Sequence, residues 1–152
     1  ATHLHFSMGL WKRAGNEMAT LESYFTILLG IQFFHSIEEL LNKFHEKFPL
    51  FKMNFKFFLT LEIVFFLFWL SVLLVKQFPN RDYLMGFFNI LMFANGLWHL
   101  VWFGIVKKYV PGLVTAPLFI ITFSRSFLRQ SSLVLFNQRI CFGSRPRIWI
   151  SQ

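Results

Sequence analysis

The chain has 152 residues, enough for one domain, and it is 55% hydrophobic but only 14% charged, whereas soluble domains are about 25% charged. Fifteen basic residues set against seven acids give a formal net charge of +8, and 23 phenylalanines contribute to a mean hydropathy of +0.52. These values exclude a typical soluble domain. The lone cysteine, Cys141, excludes a framework of disulfides within the chain.

The basic residues lie almost entirely between or beyond the apolar runs. Lysine and arginine occupy such positions in membrane proteins, where they anchor the ends of helices and set topology. The charge is not accompanied by a recognisable nucleic-acid-binding module. We therefore expect a multi-pass integral membrane protein whose partner is the lipid bilayer and not nucleic acid.

The amino-terminal segment, residues 1–20, shows no apolar periodicity and is expected to lie outside the bilayer. Lys12 and Arg13 before an apolar run are similar to the start of a secretory signal, but Glu17 and Glu22 interrupt it and no cleavage site follows. The pattern favours an uncleaved membrane helix over residues 21–41, because about 20 residues span a ~30 Å hydrocarbon core.

Two further spans follow a charged loop that contains Pro49. Residues 57–75 are apolar except for Thr60, Glu62 and Ser71, and are long enough to cross. After a turn at residues 79–80, a third helix is predicted over residues 83–106, where a pair of lysines ends it.

A fourth helix is predicted over residues 113–123, after the turn signal in residues 109–112. This run of about 11 residues is shorter than the ~17 that spanning needs, and Arg125 and Arg129 interrupt its continuation. Residues 124–152 then form a basic tail, disordered or at the interface, that can bind anionic lipid headgroups. The predicted fold is an all-α, multi-pass transmembrane helix bundle of three helices and a shorter fourth, with one helical domain over residues 21–123.

Five ionisable residues fall inside the apolar windows: His35, Glu38, Glu39, Glu62 and His99. Such residues are costly in lipid, so they usually face the interior of a bundle and mark a site. On a helix the first three share one face, and Asn95 shares a face with His99. With up-and-down threading, His35, Glu62 and His99 each lie ~10 Å below the same membrane face. Three helices therefore deliver polar groups to one level.

Two chemistries fit this cluster. His35, Glu39 and His99, with Asn95 in support, are ligand types for one divalent ion such as Zn, Fe or Mn. Without a metal, the same groups can pass protons or act as general acid and base on a lipophilic substrate, with Glu38 and Glu62 as the catalytic carboxylates. A paired-iron site is disfavoured, because the chain lacks two Glu-x-x-His helices.

Non-enzymatic functions remain open on the same residues. The carboxylates can couple a proton or cation to transport, although no inverted repeat is apparent. In a purely structural or binding subunit, Glu39 would pair with Lys43 one turn on, and His99 would hydrogen-bond between helices. Outside the cluster, His3 and His5 are expected to be exposed, and His45 with Glu46 to lie in a solvated loop.

Three sequence landmarks occur in order: residues 35–39 (HSIEE), residues 95–99 (NGLWH) and residues 109–115 (YVPGLVT). Together they resemble the HXXEE family of membrane proteins, named for its motif, over residues 24–117. The resemblance implies a small multi-helix membrane protein and carries no activity with it. It places the motif on His35, Glu38 and Glu39, and less directly on Asn95 and His99. After Phe123 the sequence is expected to depart from the family.

Overall fold

The computed structural model describes the backbone of residues 2–143 and the side chains of residues 19–129. All the regular secondary structure in this part of the chain is helical, and it contains no strand. Five helices follow one another: α1 (Thr2–Leu41), α2 (Phe44–Lys47), α3 (Phe55–Leu74), α4 (Arg81–Val106) and α5 (Ala116–Gly143). The all-α fold class is therefore confirmed.

Two helices, α3 and α4, are long and apolar enough to cross a membrane. The most apolar 18-residue windows of α3 and α4 have mean hydropathies of 2.4 and 1.4, and only 17% and 33% of these windows are buried inside the protein. The core helix of a soluble protein would be mostly buried. Large apolar side chains such as Phe57, Val64, Ile90 and Val101 are instead more than half exposed.

The outer helices extend beyond their predicted bounds. The backbone is already helical from Thr2, although helix was predicted only from residue 21, and α5 continues to Gly143 where a tail was predicted after residue 123. Neither residues 2–20 nor residues 124–143 contain proline, so polar composition there changes the surface of a helix without ending it. The remainder of the predicted tail, residues 144–152, lies outside the described residues.

An aromatic core joins α1, α3 and α4 in the half of the bundle away from the α4–α5 turn. The ring centroid of Phe88 lies 4.9 Å from that of Phe25 and 4.8 Å from that of Trp69, and all three side chains are buried. At this end, the buried Arg81 donates from Nε to the Val72 carbonyl at 2.9 Å and pairs with Glu22 of α1 at 3.2 Å. Arg81 thereby satisfies the end of α3 and ties it to α1.

The turn between α4 and α5 forces these two helices close together. Val110–Pro111–Gly112–Leu113 closes with a hydrogen bond from the Leu113 N–H to the Val110 carbonyl (3.2 Å), and Gly112 has φ +84°. Proline followed by a residue with positive φ is the signature of a type II turn. On α4, a Cβ at Gly96 would lie 2.8 Å from the Ala116 carbonyl oxygen. Glycine at this position therefore permits the first turn of α5 to pack against α4.

Candidate metal centre

Two imidazoles and one carboxylate meet in the interior of the bundle. His35 and Glu39 lie one turn apart on α1, and His99 reaches them from α4; the two histidines are 0% exposed and Glu39 is 5% exposed. Glu39 Oε1 lies 3.5 Å from His35 Nε2 and 3.3 Å from His99 Nε2. One ligand atom from each residue falls within 4.8 Å of the other two. The predicted meeting of these three residues is thus present in the structure.

The second ring nitrogen of His35 is held by the start of α5. Thr115 Oγ1 lies 2.6 Å from His35 Nδ1 and 2.8 Å from Glu38 Oε2. Because the carboxylate only accepts, the threonine hydroxyl donates its proton to Glu38 and must accept from the imidazole. His35 therefore carries its proton on Nδ1, and its Nε2 lone pair points toward Glu39, His99 and Asn95.

Asn95 is consistent with this tautomer. Its Nδ2 lies 3.1 Å from His35 Nε2, where an amide N–H can only donate. On α4, the next turn supplies His99; its Nδ1 is buried without a partner among the described residues, and its Nε2 faces Glu39 Oε1 at 3.3 Å without good hydrogen-bond geometry. One such unsatisfied polar group costs about 1–3 kcal/mol. Within the described part of the chain, the ion pair with Glu39 is therefore the polar contact that His99 makes.

Glu38 binds the turn that leads into α5. Its carboxylate accepts four hydrogen bonds, from the Tyr109 hydroxyl (2.7 Å), the Val114 N–H (2.9 Å), the Thr115 N–H (3.0 Å) and the Thr115 hydroxyl (2.8 Å). A carboxylate at a helix N-terminus is also favoured by the helix dipole. Glu38 thus caps α5 from another helix and fixes the hydroxyl that orients His35.

Glu62 of α3 is linked to α1 through a short chain of hydrogen bonds. Ser36 Oγ donates to Glu62 Oε2, and Gln32 Nε2 donates to Ser36 Oγ at 3.1 Å. Gln32, Glu39 and Glu62 all line a cavity of about 390 Å³ between α1, α3 and α4. The structure therefore places Glu62 beside the cluster, on the wall of the cavity that Glu39 also reaches.

The cavity has a polar floor and an aromatic rim. Gln32 and Glu39 on α1 are buried, whereas the α4 lining residues Ala94 and Trp98 are exposed. The cavity therefore opens sideways between α3 and α4, the two helices with the composition of membrane spans. Beside Asn95, its remaining wall consists of the apolar and aromatic side chains of Phe44, Phe58, Phe65, Leu91 and Met92.

Gly112 covers the other side of the two imidazoles. A Cβ at this position would lie 2.5 Å from His35 Cε1 and 2.7 Å from His99 Cε1. The backbone of the turn is therefore in direct contact with the cluster, in a conformation that L side chains rarely adopt.

Near the cluster, one of the alternatives is not observed and one expectation was wrong. Glu39 makes no ion pair with Lys43 among the described side chains, because it faces the two imidazoles instead. His45 is 8% exposed, not solvated: it lies in α2 and packs against the rings of Phe55 and Phe58. The side chains of His3 and His5 lie outside the described residues.

A family model described as "protein of unknown function with HXXEE motif" matches residues 26–127. The chain belongs to the HXXEE family. The HXXEE match extends past Phe123, after which the sequence was expected to depart from the family, and includes the first three turns of α5. Neither a curated protein nor a solved structure matched the chain.

The geometry gives each lettered position of the HXXEE motif a separate contact. His35 faces the cluster with Nε2 and Thr115 with Nδ1. Glu38 points to the start of α5, whereas Glu39 points to His99. His35 and Glu38, spaced i, i+3, therefore both contact Thr115. His35 and Glu39, spaced i, i+4, both face the cluster as candidate ligands.

Tyr109 provides a spectroscopic test of the Glu38 contacts. Partial burial, together with the hydrogen bond to Glu38 and the charge of that carboxylate, raises the pKa of Tyr109 from 10.0 to about 12. Because the folded-state pKa is the higher one, this contact stabilises the fold fully below pH 10 and is lost as the pH rises through about 12.

We expect the absorbance titration of the wild type minus that of Tyr109→Phe to show a phenolate transition well above pH 10. Glu38→Gln should move this transition toward 10, since it removes the negative charge. A Tyr109 transition that is unchanged in Glu38→Gln would contradict the contact.

Proposed function

We propose that this HXXEE protein is a multi-pass membrane protein that binds one divalent transition-metal ion through His35, Glu39 and His99 and uses it on a lipophilic substrate. The membrane assignment is supported by the composition of α3 and α4 and by their exposed apolar side chains. The metal assignment is carried by one observation: three ligand atoms converge in a buried place where His99 makes no well-formed hydrogen bond to the described residues.

The two separations that involve Glu39 fit coordination better than hydrogen bonding. Two ligands bonded at ~2.0–2.1 Å to a tetrahedral ion lie about 3.3 Å apart. Glu39 Oε1 lies 3.3 Å and 3.5 Å from the two Nε2 atoms, whereas charge-assisted N–H···O bonds are about 2.7–2.9 Å long. An ion between these atoms would also satisfy His99, because the lone pair of a ring nitrogen would become a ligand.

The surroundings of His35 have the form expected around a metal ligand. A coordinating histidine usually donates its other ring N–H to a fixed acceptor, which sets the tautomer and the ring orientation. His35 does this with Thr115, which is itself held by Glu38. Two histidines and one carboxylate are a ligand set for Zn and for non-haem Fe or Mn.

A three-ligand site leaves a coordination position for water or substrate. A bound ion would supply Lewis acidity and a water of lowered pKa. Among the acids nearby, Glu62 is the candidate base, because Glu38 already accepts four hydrogen bonds whereas Glu62 accepts one and lines the cavity. The sideways opening between α3 and α4 suits a substrate that arrives from the lipid.

The test is metal analysis of detergent-purified protein loaded with Zn, Mn or Fe(II) and then desalted. We expect close to one ion per chain in the wild type and loss of that ion in His35→Ala and in His99→Ala, since two ligands rarely hold a divalent ion in a buried site. His45→Ala is the matched control: it removes a buried histidine that packs only against rings of Phe55 and Phe58 and beside Glu46. Wild-type protein without metal after loading, or equal loss in His45→Ala, would reject the site.

A further inference from the structure

The cavity beside the cluster presents hydrogen-bond acceptors without donors to pair with them. Gln32 Nε2 is committed to Ser36, so its amide oxygen turns away from that contact, and this Oε1 is buried without a partner. Glu62 uses one carboxylate oxygen for the Ser36 hydroxyl, which leaves the other oxygen free of any described protein donor. Gln32 is 4% exposed, and both residues line the cavity.

A buried acceptor such as Gln32 Oε1 requires a donor from whatever fills the cavity, because an unmade hydrogen bond in the interior is costly. Apart from Glu39 and Asn95, the rest of the lining is apolar or aromatic and includes Phe44, Phe58 and Trp98. The ligand must therefore combine a donating head group with an apolar body. A volume of about 390 Å³ is at the small end for ligand sites, so it accommodates a head group and part of one chain.

The apolar surface around the opening of the cavity disfavours a ligand with a charged head group. Its opening lies between α3 and α4, where exposed side chains such as Leu61, Ile90 and Leu97 face the surroundings. With these helices in the bilayer, as proposed, a cationic head group would have to cross hydrocarbon, which strongly disfavours charge. A neutral hydroxyl or primary amide enters far more readily.

We infer that the cavity binds a neutral lipophile whose head group donates a hydrogen bond, a long-chain alcohol or primary amide, with Gln32 Oε1 and Glu62 as the recognising acceptors. This inference rests on the proposed function, because it places that head group beside the metal cluster. Gln32 and Glu62 then determine which lipophile binds, and the aromatic rim packs against the first part of its chain.

Trp98 on the rim allows the binding to be measured. In phosphatidylcholine vesicles, 11-bromoundecan-1-ol should quench Trp98 fluorescence saturably, as seen in the difference between wild type and Trp98→Phe. The methyl ether of the same chain, which cannot donate, should need about tenfold more probe, as should an 11-bromoundecyl trimethylammonium salt. The corresponding bromo-amide should behave as the alcohol does.

Two variants locate the head group. Gln32→Leu and Glu62→Leu should remove the preference for the alcohol over the ether, whereas Ser71→Ala, whose hydroxyl bonds the Phe68 carbonyl of its own helix, should preserve it. Helix content by circular dichroism and retained metal confirm that the leucine variants fold. Equal quenching by alcohol and ether in the wild type, or a preference that survives both leucine variants, overturns the inference.

The outcome is separable from that of the metal test. Saturable, alcohol-selective quenching in a protein that binds no metal rejects the proposed metal function and leaves the ligand class standing. A full complement of metal in a protein that shows no preference between alcohol and ether rejects the ligand class alone.

Discussion

Replacing Gly112 with alanine should damage both the fold and the cluster. The residue has φ +84°, and the new Cβ would lie 2.5 Å from His35 Cε1 and 2.7 Å from His99 Cε1. A left-handed conformation costs a non-glycine residue about 1–2 kcal/mol, and separating the turn from two packed rings adds to that. We expect a loss of about 3–5 kcal/mol in the free energy of unfolding, seen as a fall of about 10 °C in the melting temperature in detergent.

Metal analysis of the same variant tests the role of the turn. Since neither imidazole can keep its place beside an alanine, Gly112→Ala should also lose the bound ion. Gly104→Ala is the control, because a Cβ on Gly104 of α4 meets nothing within 4 Å. It should melt at or above the wild-type temperature, as alanine favours a helix interior. Wild-type stability and metal content in Gly112→Ala would show that the turn does not press on the imidazoles.

The predicted and observed helix bounds agree for those helices that end where the apolar run of the sequence ends. The second and third predicted helices, residues 57–75 and 83–106, differ from α3 and α4 by at most two residues at any end. Each is a continuous apolar run that stops at turn-forming or basic residues. In α1 and α5 the apolar run ends while the helix continues, so a hydropathy pattern identifies only the apolar part of the helix.

The convergence of His35, Glu39 and His99 followed from helix spacing and from depth along the spans. The same reasoning placed Glu38 with them, but helical position alone did not show that its carboxylate turns outward to the start of α5. That contact depends on how the 109–115 turn folds back over α1. The side chains of Glu38 and Thr115 are 77 residues apart in sequence.

Thr115, Gly112 and Ser36 were not identified as site residues from sequence. Threonine, glycine and serine are common in turns and helices, and nothing in their local pattern distinguishes a residue that touches a buried histidine. The one available signal was the landmark in residues 109–115, which was read as a turn into the last helix. Its polar residues proved to be those that orient the cluster.

Thr115→Val should weaken metal binding by removing the group that orients the His35 imidazole, while leaving His35 itself in place. Valine preserves the shape of threonine and removes only the hydroxyl that accepts from His35 Nδ1 and donates to Glu38. His35 would then lack the partner that fixes its tautomer. Loss of such a contact typically lowers metal affinity about 10–100-fold, and we expect a fall in that range when zinc binding is measured by competition with a chelator.

Two comparisons make the Thr115 result specific. Thr115→Ser retains the hydroxyl and should restore most of the affinity. Thr60→Val removes an exposed hydroxyl that bonds only the Lys56 carbonyl of its own helix, so it should bind zinc as the wild type does. If Thr115→Val lowered the melting temperature but left zinc affinity unchanged, the hydroxyl would serve α5 packing and not His35. If zinc affinity falls in Thr115→Val and recovers in Thr115→Ser, the hydroxyl at the start of α5 orients the His35 imidazole. The conclusion is specific, because no other described side chain lies within hydrogen-bonding distance of His35 Nδ1.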